Sequence, residues 1–481
     1  MGKRHISIMS DISKQRVEEL SEPGTKATRG AIVIRNKNTP GPYGHFLLGS
    51  TRAIRHDPLR FGLAMTEQYG DVVRIRFFIW PAYLVNHPDG IKHVLQENQQ
   101  NYNKDLFPYK ILKPLLGKGL VTNDGKSWLH QRRLMQPAFH RKRLDAFGLL
   151  MTDATVTMLD QWQDFATREQ PLDVAAEMLR LTLRIVGQTF FNIDLSDETQ
   201  IVGQAVTTVN KLHSDYMYAP FPPLYIPTPR NRRLEVSYRA LDQVVRGIIT
   251  NRRSHNTDTG DLLSMLLLAR DEETGQGMDD QQVHDEVITL LIAGYETVST
   301  ALTWTWYLLS QYPDVERQLH AELDTVLGGH LPMVEHLPRL SYTRMVLEEA
   351  LRLYPPAWIF GRKAIAEDEI GGYFIPANSM IVLSPYMTHR HPAFWDNPEV
   401  FEPERFTPER SAGRPHYAYF PFGGGPRMCI GNNFALMEMQ LILATVAQRY
   451  KLRLVPGHTV EPEALLSLHL RYGLPMMLER T

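Results

Sequence analysis

The only cysteine of the chain, Cys429, lies in the glycine-rich segment FGGGPRMCIG, residues 422–431. The residues after it, NNFALMEMQLILATVAQRY, have the pattern of an amphipathic helix, and a helix N-terminus favours an anion. Glycine leaves room for a flat, bulky ligand and lets backbone N–H groups turn toward the sulfur. Arg427 could contact an acidic group of the same ligand. The segment therefore predicts a readily ionised thiol beside such a ligand.

Two other interpretations of Cys429 stay open on these grounds. A lone cysteine is most often a small buried apolar side chain, and a nucleophilic cysteine needs a histidine base, for which 18 histidines are available. The pattern F-x-x-G-x-R-x-C-x-G is met by Phe422, Gly425, Arg427, Cys429 and Gly431. The segment resembles the haem-binding loop of the cytochrome P450 family, which implies that the Cys429 thiolate ligates the iron of haem b.

Composition excludes several other classes of protein. The net charge is −1 with 22% charged residues, so nucleic-acid binding is not expected. One cysteine excludes an internal disulfide framework and a zinc site built from several thiolates. The polar N-terminus, MGKRHISIMSDISKQRVEEL, has no apolar stretch long enough for a signal peptide or transmembrane anchor. We expect a soluble, cytoplasmic protein.

The residue patterns predict one large domain. Residues 1–38 have little periodicity and are expected to form a poorly ordered arm, followed by a single domain over residues 39–481. Short strands are expected at 71–77 and 82–86, helices from about residue 126, a long helix over roughly 279–311, and strands again after residue 356. Five prolines in residues 219–229 predict a stiff loop between two helices. The resemblance implies the mainly α cytochrome P450 fold, with a smaller β-rich portion.

A second motif lies in LEEALRLYPP, where Glu349 and Arg352 are three residues apart on one helical face. Such a pair is usually solvated. The resemblance implies instead a buried network of Glu349, Arg352 and Arg405 that supports the cysteine loop structurally. A buried network requires that all its polar groups be satisfied.

A third motif is formed by Trp128 and Arg132, four residues apart in a predicted helix. A surface cation–π pair would be the ordinary interpretation. The resemblance implies that both contact the haem propionates, together with Arg362 and Arg427. Two carboxylates require several such donors.

The long predicted helix contains the motif AGYETVS, residues 293–299. The small residues Ala293 and Gly294 would let the helix pass close to a flat cofactor, although core packing also explains them. The resemblance implies that Thr297 hydrogen-bonds the bound dioxygen and that Glu296 helps to relay protons through water. Loosening of the helix at Gly294 would make room for that water.

The expected function is that of a monooxygenase, which inserts one atom of O₂ into an apolar substrate. Electrons would come from a separate ferredoxin or flavodoxin with its reductase, which Lys126, Arg133, Arg141 and Lys142 could receive. Fatty acids, terpenoids, carotenoids and steroid-like molecules are candidate substrates. The residues expected to line the substrate pocket are Phe107, Tyr109, Leu112, Tyr216, Met217, Phe221, Trp358, Ile359, Phe360 and Leu468. The alternatives are a haem-thiolate peroxygenase or isomerase, and a non-enzymatic haem protein that senses gas.

Overall fold

The computed structural model describes residues 38–140, 145–195, 198–219, 222–255, 260–270 and 275–481. The α-helices are α1 (Thr51–His56), α2 (Pro58–Tyr69), α3 (Pro88–Lys92), α4 (Phe107–Leu116), α5 (Gly125–Met135), α6 (Gly148–Thr167), α7 (Val174–Phe191), α8 (Thr199–Tyr218), α9 (Pro229–His255), α10 (Leu262–Leu268), α11 (Asp280–Gln311), α12 (Pro313–Leu327), α13 (Ser341–Leu353), α14 (Pro385–Thr388), α15 (Pro408–Ser411) and α16 (Asn432–Ala447).

The strands are short and belong to small sheets. They are β1 (Val72–Phe77), β2 (Trp80–Val85), β3 (Tyr102–Asn103), β4 (Leu172–Asp173), β5 (Phe360–Ala364), β6 (Asp368–Ile370), β7 (Tyr373–Ile375), β8 (Met380–Leu383), β9 (Tyr450–Leu454), β10 (Pro462–Ala464), β11 (Leu468–Leu470) and β12 (Pro475–Arg480). The largest sheet has the order β1-β2-β8-β5-β3, with β2 and β8 parallel and its other pairs antiparallel. A second sheet has the order β4-β12-β9, and the pairs β10-β11 and β6-β7 are antiparallel hairpins. The predicted mainly α fold with a smaller β portion is confirmed.

Helix α11 forms the centre of the core and packs against α7, α9, α13 and α16. It begins after the N-cap Asp279, whose side chain accepts a hydrogen bond from the backbone N–H of Gln282, and it ends before Pro313, as predicted. By length and composition α11 could cross a membrane, but 78% of its most apolar window is buried inside the protein. It is therefore a core helix, apolar because it is surrounded by other helices.

Other predicted elements are also present. The strands predicted at 71–77 and 82–86 are β1 and β2, and the proline-rich stretch connects α8 to α9, as expected. The predicted N-terminal arm lies outside the described residues except for Asn38. The described residues from Asn38 to Thr481 fall within one compact unit.

Candidate functional site

The cysteine loop is built by close backbone packing in front of α16. A short 3₁₀ turn over Gly425–Arg427 precedes Cys429, whose N–H donates to the carbonyl of Phe422 at 2.9 Å. Gly425 has φ +62°, and a Cβ there would lie 1.9 Å from the carbonyl oxygen of Leu95, so only glycine fits. The backbone N–H of Gly431 donates to the sulfur of Cys429, as the loop was expected to allow.

The pKa of Cys429 corrects one expectation from the sequence. The side chain is accessible to water-sized molecules, yet the surrounding protein desolvates it. Burial therefore raises the pKa of the thiol, and the opposing effects of the Gly431 N–H and the Arg132 charge do not compensate. The protein environment alone does not make this thiol readily ionised, because Cys429 lies before the first turn of α16 in a desolvated loop.

Helix α11 carries the predicted oxygen-activation motif. Ala293 is exposed and Thr297 is half-exposed, although Tyr295 and Val298 between and beside them are buried. The hydroxyl of Thr297 donates to the carbonyl of Ala293 at 2.8 Å. The two residues lie one turn apart on the same helical face, so this face of the otherwise buried helix is accessible to solvent, and we refer to it as the cleft face.

Gly294 has a different role from the one expected. A Cβ at this position would lie 3.0 Å from Val186 and 3.2 Å from Phe190, both in α7. Its small size therefore serves the close packing of α11 against α7, where a Cβ would force Val186 or Phe190 to shift by a few tenths of an ångström, rather than the face that carries Ala293. Nor is the helix loosened here as expected, since residues 280–311 are α-helical throughout. The hydroxyl of Thr182 in α7 donates to the carbonyl of Tyr295 at 2.9 Å and joins the two helices.

The four residues predicted to contact haem propionates lie close together. Arg427 stacks on Trp128, with 4.0 Å from its guanidinium carbon to the ring centroid, and pairs with Asp124. Arg132 donates to the carbonyl of Met428 at 2.6 Å, beside the cysteine. The positive charge of Arg362 acts on Arg427 and, after desolvation, contributes to the lowered pKa of that guanidinium. The sequence motifs on α5, on β5 and in the cysteine loop therefore converge in space.

A fifth residue of this cluster, Lys104, was not predicted. It is desolvated and surrounded by Arg362, Arg427 and Arg132, and these effects lower its pKa well below the ordinary value although Asp124 opposes them. Three guanidinium groups and one carboxylate leave an excess of two positive charges, with Lys104 available as a further donor. Lys104 belongs to none of the sequence motifs, and only the tertiary structure brings it close to α5.

Glu349, Arg352 and Arg405 form a fully buried network. The guanidinium of Arg352 binds both carboxylate oxygens of Glu349, at 2.6 and 2.8 Å, and the Nε of Arg405 lies 3.2 Å from Glu349. Arg352 also donates to the carbonyls of His389 and Pro398 at 2.9 and 2.7 Å. The paired charges and the hydrogen bonds of Arg352 favour a stable network, whereas the buried Nε of Arg405 lies at ion-pair distance from Glu349 without a hydrogen bond among the described groups.

This network is connected to the segment that leads into the cysteine loop. His389 faces the carbonyl of Arg352 through Nδ1 at 3.3 Å and accepts from the backbone N–H of Phe420 through Nε2 at 2.9 Å. The hydroxyl of Tyr419 donates to the carbonyl of Glu348 at 3.0 Å. Helix α13 thus fixes the backbone two residues before Phe422.

Glu296 is buried and bound by three side chains. Its Oε1 accepts from Asn210 of α8 at 2.6 Å, from Ser467 at 2.5 Å and from His469 of β11 at 2.8 Å. Burial opposes ionisation of Glu296, but the hydrogen bonds and charge of His469, with those of Ser467 and Asn210, outweigh it and lower the pKa. None of these three partners was predicted, because each is distant from Glu296 in the sequence.

The residues predicted to line the substrate pocket occupy varied environments. Tyr109 donates to the carbonyl of Gly361 and accepts from Arg362, so it belongs to the cationic cluster. The buried or partly buried ones lie in the apolar core or against it, and their contact with substrate stays a prediction: Leu112, Tyr216, Met217, Trp358, Ile359, Phe360 and Leu468. Phe107 is exposed, and Phe221 lies outside the described residues.

These residues fit a bound haem. A thiol with an amide N–H on its sulfur, a small residue facing a cleft on the packed helix α11, and two excess positive charges suit an iron porphyrin with two propionates. A metal ion bound to the thiol would favour the thiolate and so offset the effect of burial.

Comparison with known proteins identifies the family of the chain. The cytochrome P450 family model matches residues 39–474. Cyclooctatin synthase of Streptomyces melanosporofaciens is 38% identical over 464 residues, covering 96% of this chain and 97% of that protein. Pentalenene oxygenase of Streptomyces avermitilis is 36% identical over 424 residues, covering 88% and 93%. Protein LUTEIN DEFICIENT 5, chloroplastic, of Arabidopsis thaliana is 32% identical over 428 residues, covering 85% and 72%. The chain belongs to the cytochrome P450 family and is a haem-thiolate monooxygenase.

Proposed function

We propose that this monooxygenase oxidises a terpenoid hydrocarbon or alcohol, by hydroxylation or epoxidation, with electrons from a separate ferredoxin or flavodoxin. Monooxygenases of this family require O₂ and a redox partner and act on apolar substrates. The proposal of a terpenoid rests on the relatives, since cyclooctatin synthase and pentalenene oxygenase each match most of this chain. A cytoplasmic location stays a prediction.

The observation that carries the proposed activity is the pairing of Thr297 with the accessible Ala293 on the cleft face of α11. Haem supplies the activation of O₂ when it is bound. The Thr297 hydroxyl donates to the Ala293 carbonyl, so its lone pairs are directed to the cleft and can accept a hydrogen bond from a water. We assign to Thr297 the ordering of that water and to Glu296 the supply of its protons. A peroxygenase, an isomerase or a gas sensor would have no need of this pair.

The proposed electron donor is an acidic protein that docks beside the cysteine loop. Helix α5 contributes Arg132 next to Met428 and also presents Lys126 and Arg133 at its exposed surface, seven residues apart on one face. Basic side chains there would steer an acidic ferredoxin or flavodoxin toward the haem. Arg141 and Lys142, predicted to take part, lie outside the described residues.

The test is turnover of a terpenoid panel in a reconstituted system containing a ferredoxin, its reductase and O₂. Compounds that bind should shift the spin state of the haem, and at least one should yield a product that carries one atom from O₂. A panel in which only fatty acids bind and react would contradict the substrate class.

The same system tests Thr297. Thr297→Ala should retain haem and substrate binding but release peroxide, so that product per NAD(P)H falls, by at most the roughly 10²–10⁴ that a general acid contributes. Thr305→Ala is the matched control, because it removes an equivalent hydrogen bond to the carbonyl of Ala301, also of 2.8 Å, from the buried part of the same helix. An unchanged ratio in Thr297→Ala would show that this residue only packs.

A further inference from the structure

The hydrogen bonds around Glu296 join three separate parts of the fold. Asn210 comes from α8, His469 from β11, and Ser467 from the residue just before that strand. Ser467 and His469 also contact each other, with 2.7 Å between Oγ and Nε2. Any hydrogen-bond donor could stabilise the charge of Glu296. Whether the network can also transfer protons depends on which residue types the three partners are.

Only one partner of Glu296 can change its charge. Asn210 and Ser467 are buried and do not titrate near neutral pH, whereas histidine does. The side chain of His469 is 27% exposed and that of Glu296 only 8%. His469 is therefore the partner that reaches both solvent and the buried carboxylate.

We propose that His469 is a positioning residue for oxygen activation, through which Glu296 exchanges protons with solvent. The inference rests on the proposed role of Glu296 in proton supply, and it adds the route by which that carboxylate is recharged. Without such a route, a carboxylate enclosed by protein could deliver one proton and then wait for local opening of the fold before the next turnover.

The transfer is balanced in protons at each residue. A solvent proton binds Nδ1 of His469, and the proton on Nε2 passes to Oε1 of Glu296, which returns the imidazole to its neutral form. The carboxyl then donates its proton to a water on the Thr297 side and becomes a carboxylate again. Insertion of one oxygen atom consumes two protons and two electrons per O₂ and forms one water, so the route operates twice in each turnover.

The titratable and charged groups around His469 lie on α11 and on or beside the β10-β11 pair. Glu296 faces it from α11, and Glu463 lies opposite it in the antiparallel pair β10-β11. Arg471, two residues further along, pairs with Glu461 at 2.5 Å and lies 3.9 Å from Glu463. Tyr295 lies close to Glu296 on α11. The two carboxylates nearest to His469 come from α11 and β10, so its imidazole lies between acidic groups of two different elements.

The first test compares two variants of His469 in the haem-loaded enzyme. His469→Gln keeps a neutral N–H donor for Oε1 but cannot relay a proton, and His469→Phe removes both functions. Product per NAD(P)H should fall and peroxide rise in both variants, by less than the roughly 10²–10⁴ of a direct general acid because water can partly substitute. The pH dependence of this ratio between roughly pH 5 and 8, where histidine changes its charge, should be lost. His458→Gln is the matched control, since the side chain of His458 hydrogen-bonds a backbone carbonyl, that of Gly473 at 3.3 Å, and no carboxylate among the described groups.

The second test does not depend on turnover. Histidine labelled with ¹⁵N in the full-length, reduced, carbon-monoxide-bound protein gives ring signals, and that of His469 is identified by its loss in His469→Gln. Glu296→Gln should change the pH titration curve and the Nε2 shift of His469 and leave His458 unaffected.

The outcomes separate this inference from the proposed function. If His469→Gln matches the wild type in product per NAD(P)H and in the pH dependence of that ratio while Thr297→Ala releases peroxide, proton supply at Thr297 stands and the route through His469 is wrong. Loss of coupling in His469→Phe alone, with His469→Gln normal, would show that the side chain only holds Glu296 in place, which also overturns the inference. If Glu296→Gln and Thr297→Ala both leave product per NAD(P)H unchanged, the proposed roles of Glu296 and Thr297 in proton supply are wrong, whatever the result for His469.

Discussion

At the scale of single residues, Lys104 has the most unusual electrostatic environment of the site. It is partly exposed, yet desolvation by the surrounding protein and the like charges of Arg132, Arg362 and Arg427 lower its pKa. A bound propionate among the same groups would favour the charged form of Lys104, because an opposite charge nearby raises the pKa of an amine. Haem binding is thus expected to raise the pKa of Lys104.

We predict that Lys104→Met weakens haem binding while the protein still folds. A hydrogen bond to a charged group contributes about 1.5–3 kcal/mol, so haem transfer to apomyoglobin should be roughly 10- to 100-fold faster than from the wild type. The control is Lys110→Met, because Lys110 is exposed on α4 and pairs with Asp105 at 2.8 Å. Equal transfer rates for the two variants would place Lys104 outside the propionate site.

The sequence predicts that Arg132, Arg427 and Cys429 belong to one site, since each belongs to a short motif with fixed spacing, and in the structure they lie close together. It does not predict Lys104, Asn210 or the role of Gly294, because their contacts lie on other elements far along the chain. Nor does it predict the raised pKa of Cys429, which depends on how much protein surrounds the loop rather than on its proximity to α16.

At the scale of elements, the decisive connection is that between α13 and the residues before the cysteine loop. Arg352 binds Glu349 on its own helix and the carbonyls of His389 and Pro398 on the following segments. His389 in turn accepts from the N–H of Phe420. The helix therefore holds the loop through a buried charge pair, and loss of that pair should reduce haem binding.

We predict that Arg352→Ala gives insoluble or haem-free protein. It would leave Glu349 buried without its main partner, at a cost of about 3–5 kcal/mol. Arg344→Ala, on the same helix, removes an exposed pair with Glu348 of 2.9 Å and should cost only about 0.3–0.5 kcal/mol. Haem content and chemical unfolding midpoints measure both. Full haem content in Arg352→Ala would mean that the network does not support the loop.

The spacing of Glu349 and Arg352 predicts that both lie on one face of a helix. Only the resemblance to the family predicts that the pair is buried and that Arg405 joins it. Arg405 lies in a different segment, and no local pattern brings it to α13. The same limit applies to packing of α11 on α7. The small residues of AGYETVS are visible in the sequence, yet only the fold shows that Gly294 faces Val186 while Ala293 faces the cleft.

At the scale of the whole molecule, the proposed function places electron entry and oxygen binding on different elements. Helix α5 contacts the cysteine loop through the hydrogen bond from Arg132 to the carbonyl of Met428, and electrons are expected to enter there. Oxygen and substrate are expected to bind at the face of α11 that carries Ala293 and Thr297. The separation allows a charge on the electron-donor side to be changed without contact with the substrate side. Basic surface groups act mainly on the rate of encounter, and added salt screens them.

We predict that Lys126→Glu raises the KM for a ferredoxin or flavodoxin severalfold at low ionic strength, because a reversed charge at the docking surface repels an acidic donor. Substrate affinity, measured by the spin-state shift, and reduction by dithionite should be unchanged. Lys126 is exposed and belongs neither to the predicted substrate pocket nor to the residues that fit haem. The difference from the wild type should shrink as salt is added. Lys211→Glu makes the same charge reversal at an exposed position of α8 and should leave the KM for the donor as it is. An equal effect of both variants would show a response to net charge only, and an effect of Lys211→Glu alone would place the donor on the face of α8.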